Sequence, residues 1–75
     1  METIHQYYKG EIDGLKVLVQ VDPEQLTGLE LIINEEGDVV KTKRKFDKEI
    51  YDDLAEDGFV KSSALEFNLY LKGIK

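Results

Sequence analysis

Hydrophobic and polar residues alternate with a period of two along most of residues 7–21, with Tyr7 and Leu18 as exceptions, which is typical of β-strands. Asp13-Gly14 interrupts the alternation and is a strong hairpin signal, because both residues tolerate positive φ. Pairing outward from this turn places Glu11 opposite Lys16. One face of the predicted hairpin then carries the apolar residues Tyr8, Ile12, Leu15, Val17, Val19 and Val21.

Two further strands are predicted after a turn at Asp22-Pro23. Residues 29–33 alternate again, with their apolar face formed by Leu29, Leu31 and Ile33. Residues 34–37 read Asn-Glu-Glu-Gly, which suits a type I turn followed by a left-handed glycine, and a fourth strand covers residues 38–46. A bulge at this turn would change the register of the fourth strand, and the sequence leaves both registers open.

Residues 48–57 carry the signals of one short helix, including its start and its end. Asp47 is a good N-cap residue for the first turn. Gly58 supplies the left-handed residue after the last turn, and Phe59 follows where it can fold back onto Leu54 in a Schellman motif. We expect the apolar side of this helix to dock on the sheet, because so short a helix is marginal alone.

Residues 64–72 are compatible with two structures. Leu65, Phe67, Leu69 and Leu71 alternate with polar residues, which favours a strand. The capping-box pattern from Ser63 to Glu66 favours a helix instead. We therefore expect one α+β domain over residues 1–75, a four-stranded antiparallel β-meander with one helix packed on one face and a C-terminal strand. The alternative ends in a second helix on that same face.

Composition argues against catalysis. The chain of 75 residues contains no cysteine, which excludes disulfides, thiolate metal sites and cysteine nucleophiles. His5 is the only histidine and has no predicted partner, while Ser62-Ser63 lacks the context of a serine nucleophile. We expect no catalytic, cofactor or metal site. An enzyme or metal binder using His5 and the acidic helix at residues 48–57 is the least favoured alternative.

The beginning of the chain lacks the charged start and apolar run of a signal peptide, and no segment approaches the ~20 apolar residues of a membrane span. Small secreted domains usually carry disulfides, and this one has no cysteine. We therefore expect a cytoplasmic protein that does not enter membranes.

A basic strip, defined as Lys41, Lys43, Arg44 and Lys45, is one candidate binding surface. Alternate residues of a strand lie about 6.6–6.8 Å apart, comparable to successive phosphates of a nucleic-acid strand. The net charge of −6 opposes a polyanion, and no aromatic residue alternates with these lysines for base stacking. Protection of the strand from aggregation is the favoured interpretation, and weak nucleic-acid binding is the alternative.

A second candidate surface consists of Tyr7, Leu18 and Ile32, three apolar residues on faces that are otherwise polar. Adjacent exposed hydrophobic residues mark contact sites, here for a second copy or for another protein. Alternatively, a second layer such as the C-terminal segment covers them. The function favoured by the sequence is a small non-catalytic protein-binding or accessory domain that acts through surface contacts.

Overall fold

The computed structural model of the chain describes residues 4–72. This range forms a five-stranded antiparallel sheet and two helices. In chain order these are β1 (Gln6–Ile12), β2 (Leu15–Asp22), β3 (Thr27–Ile33), β4 (Val39–Lys45), α1 (Ile50–Glu56), β5 (Val60–Lys61) and α2 (Ala64–Leu71). The strands lie side by side in the order β4-β3-β2-β1-β5. The predicted α+β class is confirmed, with a four-stranded meander followed by a helix and a strand.

The first hairpin has the predicted register. Glu11 lies opposite Lys16, and Tyr8 lies opposite Val19. Asp13 and Gly14 both have positive φ, at 54° and 81°, as the tight turn requires. The turn residues therefore determine the pairing of β1 with β2.

The turn between β3 and β4 is organised by Asn34. Its side-chain oxygen accepts hydrogen bonds from the backbone N–H groups of Glu36 and Asp38, each at 2.9 Å. Gly37 adopts a φ of 89°, and its N–H donates to the Asn34 carbonyl at 3.0 Å. This is the predicted type I turn with a left-handed glycine, and it places Ile33 opposite Val39.

Helix α1 lies within the predicted range of residues 48–57 but is shorter at both ends. The predicted N-cap is wrong, because Glu49 is the N-cap and makes no side-chain cap hydrogen bond. The Asp47 carboxylate accepts a hydrogen bond from the Glu49 N–H at 2.9 Å, in the turn before the helix. Gly58 has a φ of 81°, and the Phe59 N–H donates to the Leu54 carbonyl at 2.9 Å. Leu54 and Phe59 are both buried, so the predicted Schellman closure is confirmed and anchors the helix end to the core.

The preference for a strand over residues 64–72 is wrong, because Ala64–Leu71 is the helix α2 and the last strand is the two-residue β5 before it. Ser63 caps α2 by accepting a hydrogen bond from the Glu66 N–H at 3.1 Å. The capping box was therefore the correct signal. The alternative with a second helix is correct for this segment, but it placed the helix on the wrong face.

Burial of α2 follows a helical period. Phe67 is fully buried, and Tyr70 and Leu71 pack beside it, three and four residues later. Leu65 and Leu69, which a strand would place beside Phe67, are 71% and 46% exposed. Only one stripe of α2 therefore faces the sheet.

The apolar residues of the sheet form two cores instead of one. Val17, Val19 and Val21 point to the α1 side, where they meet Leu54 and Phe59. The opposite side packs against α2 and contains Leu18, Leu31, Ile33 and Phe67. The sheet is therefore packed on both faces, whereas the sequence predicts a helix on one face only. β3 pairs Leu31 with Leu18, which directs Leu29, Leu31 and Ile33 away from the three valines.

Candidate protein interface at the β4 edge

Strand β4 is an edge of the sheet, since β3 is its only neighbouring strand within residues 4–72. Two hydrogen bonds show which of its backbone groups face β3. The Phe46 N–H donates to the Leu26 carbonyl at 2.7 Å, and the Asn34 N–H donates to the Asp38 carbonyl at 3.0 Å. In an antiparallel pair such hydrogen-bonded positions alternate with non-bonded ones. On β4, the residues that face β3 are therefore Val40, Thr42 and Arg44.

The other β4 residues direct their backbone N–H and C=O groups to the free edge of the sheet. These residues are Val39, Lys41, Lys43 and Lys45. We call them the β4 edge. They present four donors and four acceptors over a strand of seven residues, about 23 Å long. Such a row of backbone groups is a template for another strand.

The side chains of the β4 edge lie on the α2 side of the sheet, because Lys41 is opposite Leu31 and Lys43 is opposite Leu29. Val39 packs against the α2 core, whereas Lys41, Lys43 and Lys45 are exposed. None of these three lysines forms an ion pair with a carboxylate of the described residues. The lysine ammonium groups are therefore held on one side of the edge.

Arg44 belongs to the predicted basic strip but lies on the other side of the sheet. Its Nη1 is 3.8 Å from Oε1 of Glu30 on β3. Arg44 also borders a cleft of about 380 Å³ between α1 and the sheet, which Asp53 and Leu54 help to line. The side chains of the three lysines therefore share one face of the sheet, and the Arg44 side chain lies on the other.

The opposite edge of the sheet is different. β5 contributes only two residues, Val60–Lys61, paired with Lys9 and Tyr8 of β1. The Ser62 N–H continues this pairing by donating to the Tyr7 carbonyl at 2.8 Å. A short edge strand of this kind offers little backbone for a further strand.

The second predicted surface, Tyr7, Leu18 and Ile32, does not form one patch. Leu18 is fully buried beneath α2, and the Tyr7 ring lies 5.3 Å from the Phe67 ring between centroids. Ile32 packs on the opposite side of the sheet, with the α1 core. The alternative that the C-terminal segment covers these residues holds for Leu18, which is fully buried, and in part for Tyr7, which is half-buried.

A polar cluster fastens the first turn of α2 to the sheet. Glu66 accepts a hydrogen bond from the Ser62 hydroxyl at 2.7 Å and pairs with Lys16 at 3.2 Å and Lys9 at 3.3 Å. The Ser62 hydrogen bond and the lysines lower the pKa of Glu66 from 4.5 to about 2. Lys16 also donates to the Tyr70 hydroxyl at 3.1 Å, and this bond raises the lysine pKa. Each polar group of the cluster has a partner, so the cluster is an attachment of α2.

The remaining candidates for chemistry stay apart from one another. His5 borders a shallow depression that Lys43, Arg44 and Lys45 also line, and no residue of α1 lines it. Within residues 4–72 there is no group of three or more His, Cys, Asp or Glu side chains that could hold a metal ion. The acidic residues Asp52 and Asp53 of α1 are exposed. His5 and the acidic helix therefore do not assemble into a common site.

The sequence identifies the lysines of the β4 edge, but not Val39 or the outward-facing backbone groups. Recognising the edge requires the strand order, which places β4 outermost. The available signal was that β4 is the last long strand before the chain enters α1.

Among the described residues, neither helix has the length and apolar character needed to cross a membrane. Comparison with protein-family models, with curated proteins and with solved structures found no match for this chain.

Proposed function

We propose that this chain is a non-catalytic protein-binding domain that accepts an extended segment of a partner protein along the β4 edge. The observation that carries the proposal is the row of outward backbone groups at Val39, Lys41, Lys43 and Lys45. Peptide-binding domains use such edges, where main-chain hydrogen bonds provide affinity and side chains provide specificity.

The layering of the fold supports the edge as the binding surface. Both faces of the sheet are packed against helices, through Leu54 on one side and Phe67 on the other. The central strands β2 and β3 are paired on both sides. The long β4 strand, in contrast, has no second neighbouring strand among residues 4–72. Binding of an added strand there requires no rearrangement of either core.

A cytoplasmic location is part of the proposal. Its support is the cysteine-free sequence, since small secreted domains usually depend on disulfides. Fractionation of cells that produce the chain with a small C-terminal tag would test this location.

The proposal can be tested by substituting proline at Lys43. The Lys43 N–H points to the free edge, so Lys43→Pro removes an outward donor without removing a hydrogen bond to β3. Lys43→Gln is the matched control, because it removes the same charge but keeps the N–H. Binding of a seven-residue extended peptide, measured by changes in backbone amide chemical shifts, should be lost in Lys43→Pro and retained in weakened form in Lys43→Gln.

The fold of both variants is checked by circular dichroism and by the amide spectrum of β1 and β2, which should be unchanged. Equal binding by Lys43→Pro and Lys43→Gln would refute strand addition. A peptide that shifts amides only in the cleft beside α1 would also refute it, because the binding surface would then be a different one.

A further inference from the structure

The charge pattern of the β4 edge indicates what kind of segment it accepts. We propose that the partner is an acidic extended segment, with carboxylates at alternate positions that face Lys41, Lys43 and Lys45. This inference rests on the proposed strand addition. It adds the chemical class of the partner and, for a strand added antiparallel to β4, its register.

The register follows from the hydrogen-bond alternation. A strand that runs antiparallel to β4 forms hydrogen-bonded pairs with Val39, Lys41, Lys43 and Lys45. Directly opposite residues place their side chains on the same face of the sheet, with Cβ atoms about 5.5 Å apart. Aspartate or glutamate opposite each lysine therefore brings a carboxylate to an ammonium group that no carboxylate of residues 4–72 occupies.

The intervening partner residues lie on the α1 side, beside Val40, Thr42 and Arg44. Val40 is 57% exposed and favours an apolar neighbour, whereas Arg44 is already close to Glu30. For a partner antiparallel to β4, these neighbours favour the sequence Glu-Thr-Glu-Thr-Glu-Val-Val. Its first glutamate lies opposite Lys45 and its last valine lies opposite Val39. We use this peptide, acetylated and amidated at its ends, as the probe.

A second copy of the chain is disfavoured as the occupant by the same lysines. Antiparallel pairing of two β4 edges would set lysine against lysine across the new interface, and like charges directly opposite are destabilising. The net charge of −6 does not prevent binding of an acidic segment, because at physiological salt charges beyond about 8 Å are largely screened. The electrostatic interaction of an acidic segment with the β4 edge is therefore determined mainly by the nearby lysines.

The test compares the probe with a version in which glutamine replaces each glutamate. Both peptides have the same length, the same strand pattern and the same backbone groups, so only the three charges differ. Because three opposite-charge pairs are compared with three neutral ones, we expect the glutamate peptide to bind about tenfold more tightly at physiological salt. At 500 mM salt the two affinities should converge. Titration followed by amide shifts of β4 measures both.

N-methylation of the probe separates the backbone contribution from the charge contribution. Methyl groups on its third and fifth amides block the hydrogen bonds to Lys43 and Lys41 and should abolish binding. Methyl groups on its second and fourth amides, which point away from β4, should leave binding unchanged. Lys43→Glu should lower the affinity of the chain for the glutamate peptide by more than tenfold. Lys61→Glu, on the opposite edge of the sheet, is the control.

The outcomes distinguish the two proposals. Equal affinity of the glutamate and glutamine peptides, with sensitivity to N-methylation retained, would overturn the acidic partner and leave strand addition standing. If neither peptide binds, or if N-methylation at any position leaves the affinity unchanged, both the acidic partner and strand addition are overturned. A single-stranded oligonucleotide that binds the lysines while the peptides do not would assign the surface to nucleic acid. Dimerisation of the unmodified chain through β4 in sedimentation would assign the edge to a second copy and overturn both proposals.

Discussion

Replacing Phe67 by alanine tests whether α2 holds one entire face of the sheet. Phe67 is fully buried, belongs to the core formed by Leu18, Leu31 and Ile33, and packs its ring 5.3 Å from the Tyr7 ring. Tyr70 and Leu71 extend the contact to the neighbouring turn. The phenyl ring is thus the central anchor of a helix of eight residues, which is too short to be stable without docking.

Loss of a buried phenyl ring in such a position costs about 3–5 kcal/mol, from transfer and cavity effects together. A domain of 75 residues has a total stability of roughly 4–11 kcal/mol. With a urea dependence of about 1 kcal/mol per molar, Phe67→Ala should lower the unfolding midpoint by roughly 3 M or more. If this variant does not fold, Phe67→Leu should show a smaller shift in the same direction.

Leu65→Ala is the matched control, because Leu65 is 71% exposed on the same helix. An exposed substitution of this kind should change stability by less than about 0.5 kcal/mol. In a strand, Leu65 and Phe67 would share one face and both would matter, whereas in a helix they point in different directions. Equal midpoint shifts for Leu65→Ala and Phe67→Ala in urea would therefore refute the docked helix.

Three further predictions concern single contacts. The stabilisation by Glu66 is complete above its unfolded pKa of 4.5 and lost as the pH falls towards about 2. Because the ion pairs are open to water, Glu66→Gln should lower the free energy of unfolding by about 1 kcal/mol at pH 7, measured in urea. The variant should also lose less stability than the unmodified chain as the pH falls below 4.5. Gly10→Ala should lower the thermal midpoint, because the new Cβ would lie 2.7 Å from the Phe59 ring. Gly28→Ala should do the same more severely, since its Cβ would collide with the Gln20 carbonyl, and the soluble yield should fall.

Local signals in the sequence predicted a large part of the fold. The Asp13-Gly14 turn determines a register by itself, because few residue pairs accept two positive φ angles. The end of α1 is similarly determined by the left-handed Gly58 and the apolar Phe59 after it. Each of these features depends on neighbouring residues only. Chain-local chemistry is therefore sufficient for the turns and for α1.

The division of apolar residues between two faces could not be predicted in the same way. It depends on how β3 pairs with β2 across the turn that contains Leu26, a non-glycine residue with a φ of 55°. A shift of one residue would exchange the faces of β3. One signal was available, since Val17-Leu18-Val19 is an unbroken apolar run, which indicates a strand covered on both sides.

The candidate interface was predicted in its charges but not in its geometry. The sequence predicts that Lys41, Lys43 and Lys45 form one row, because side chains of a strand alternate between its two faces. Their position at an edge depends on the strand order, which is a property of the whole fold. The hydrogen bonds at both ends of β4 determine which backbone N–H and C=O groups of the strand point to the free edge.

The two edges of the sheet argue for binding at β4 beyond simple protection. Protection requires only that an edge be short, twisted or charged, and β5 satisfies it with two residues. The exposed lysines of β4 also meet this requirement, but β4 in addition keeps regular one-to-one pairing with β3 from Val39 to Lys45. Beyond Val39 it contributes mainly exposed side chains, so packing alone gives little reason for seven ordered residues. A long and regular edge with lysines on one side is what an added acidic strand needs, and is more than protection demands.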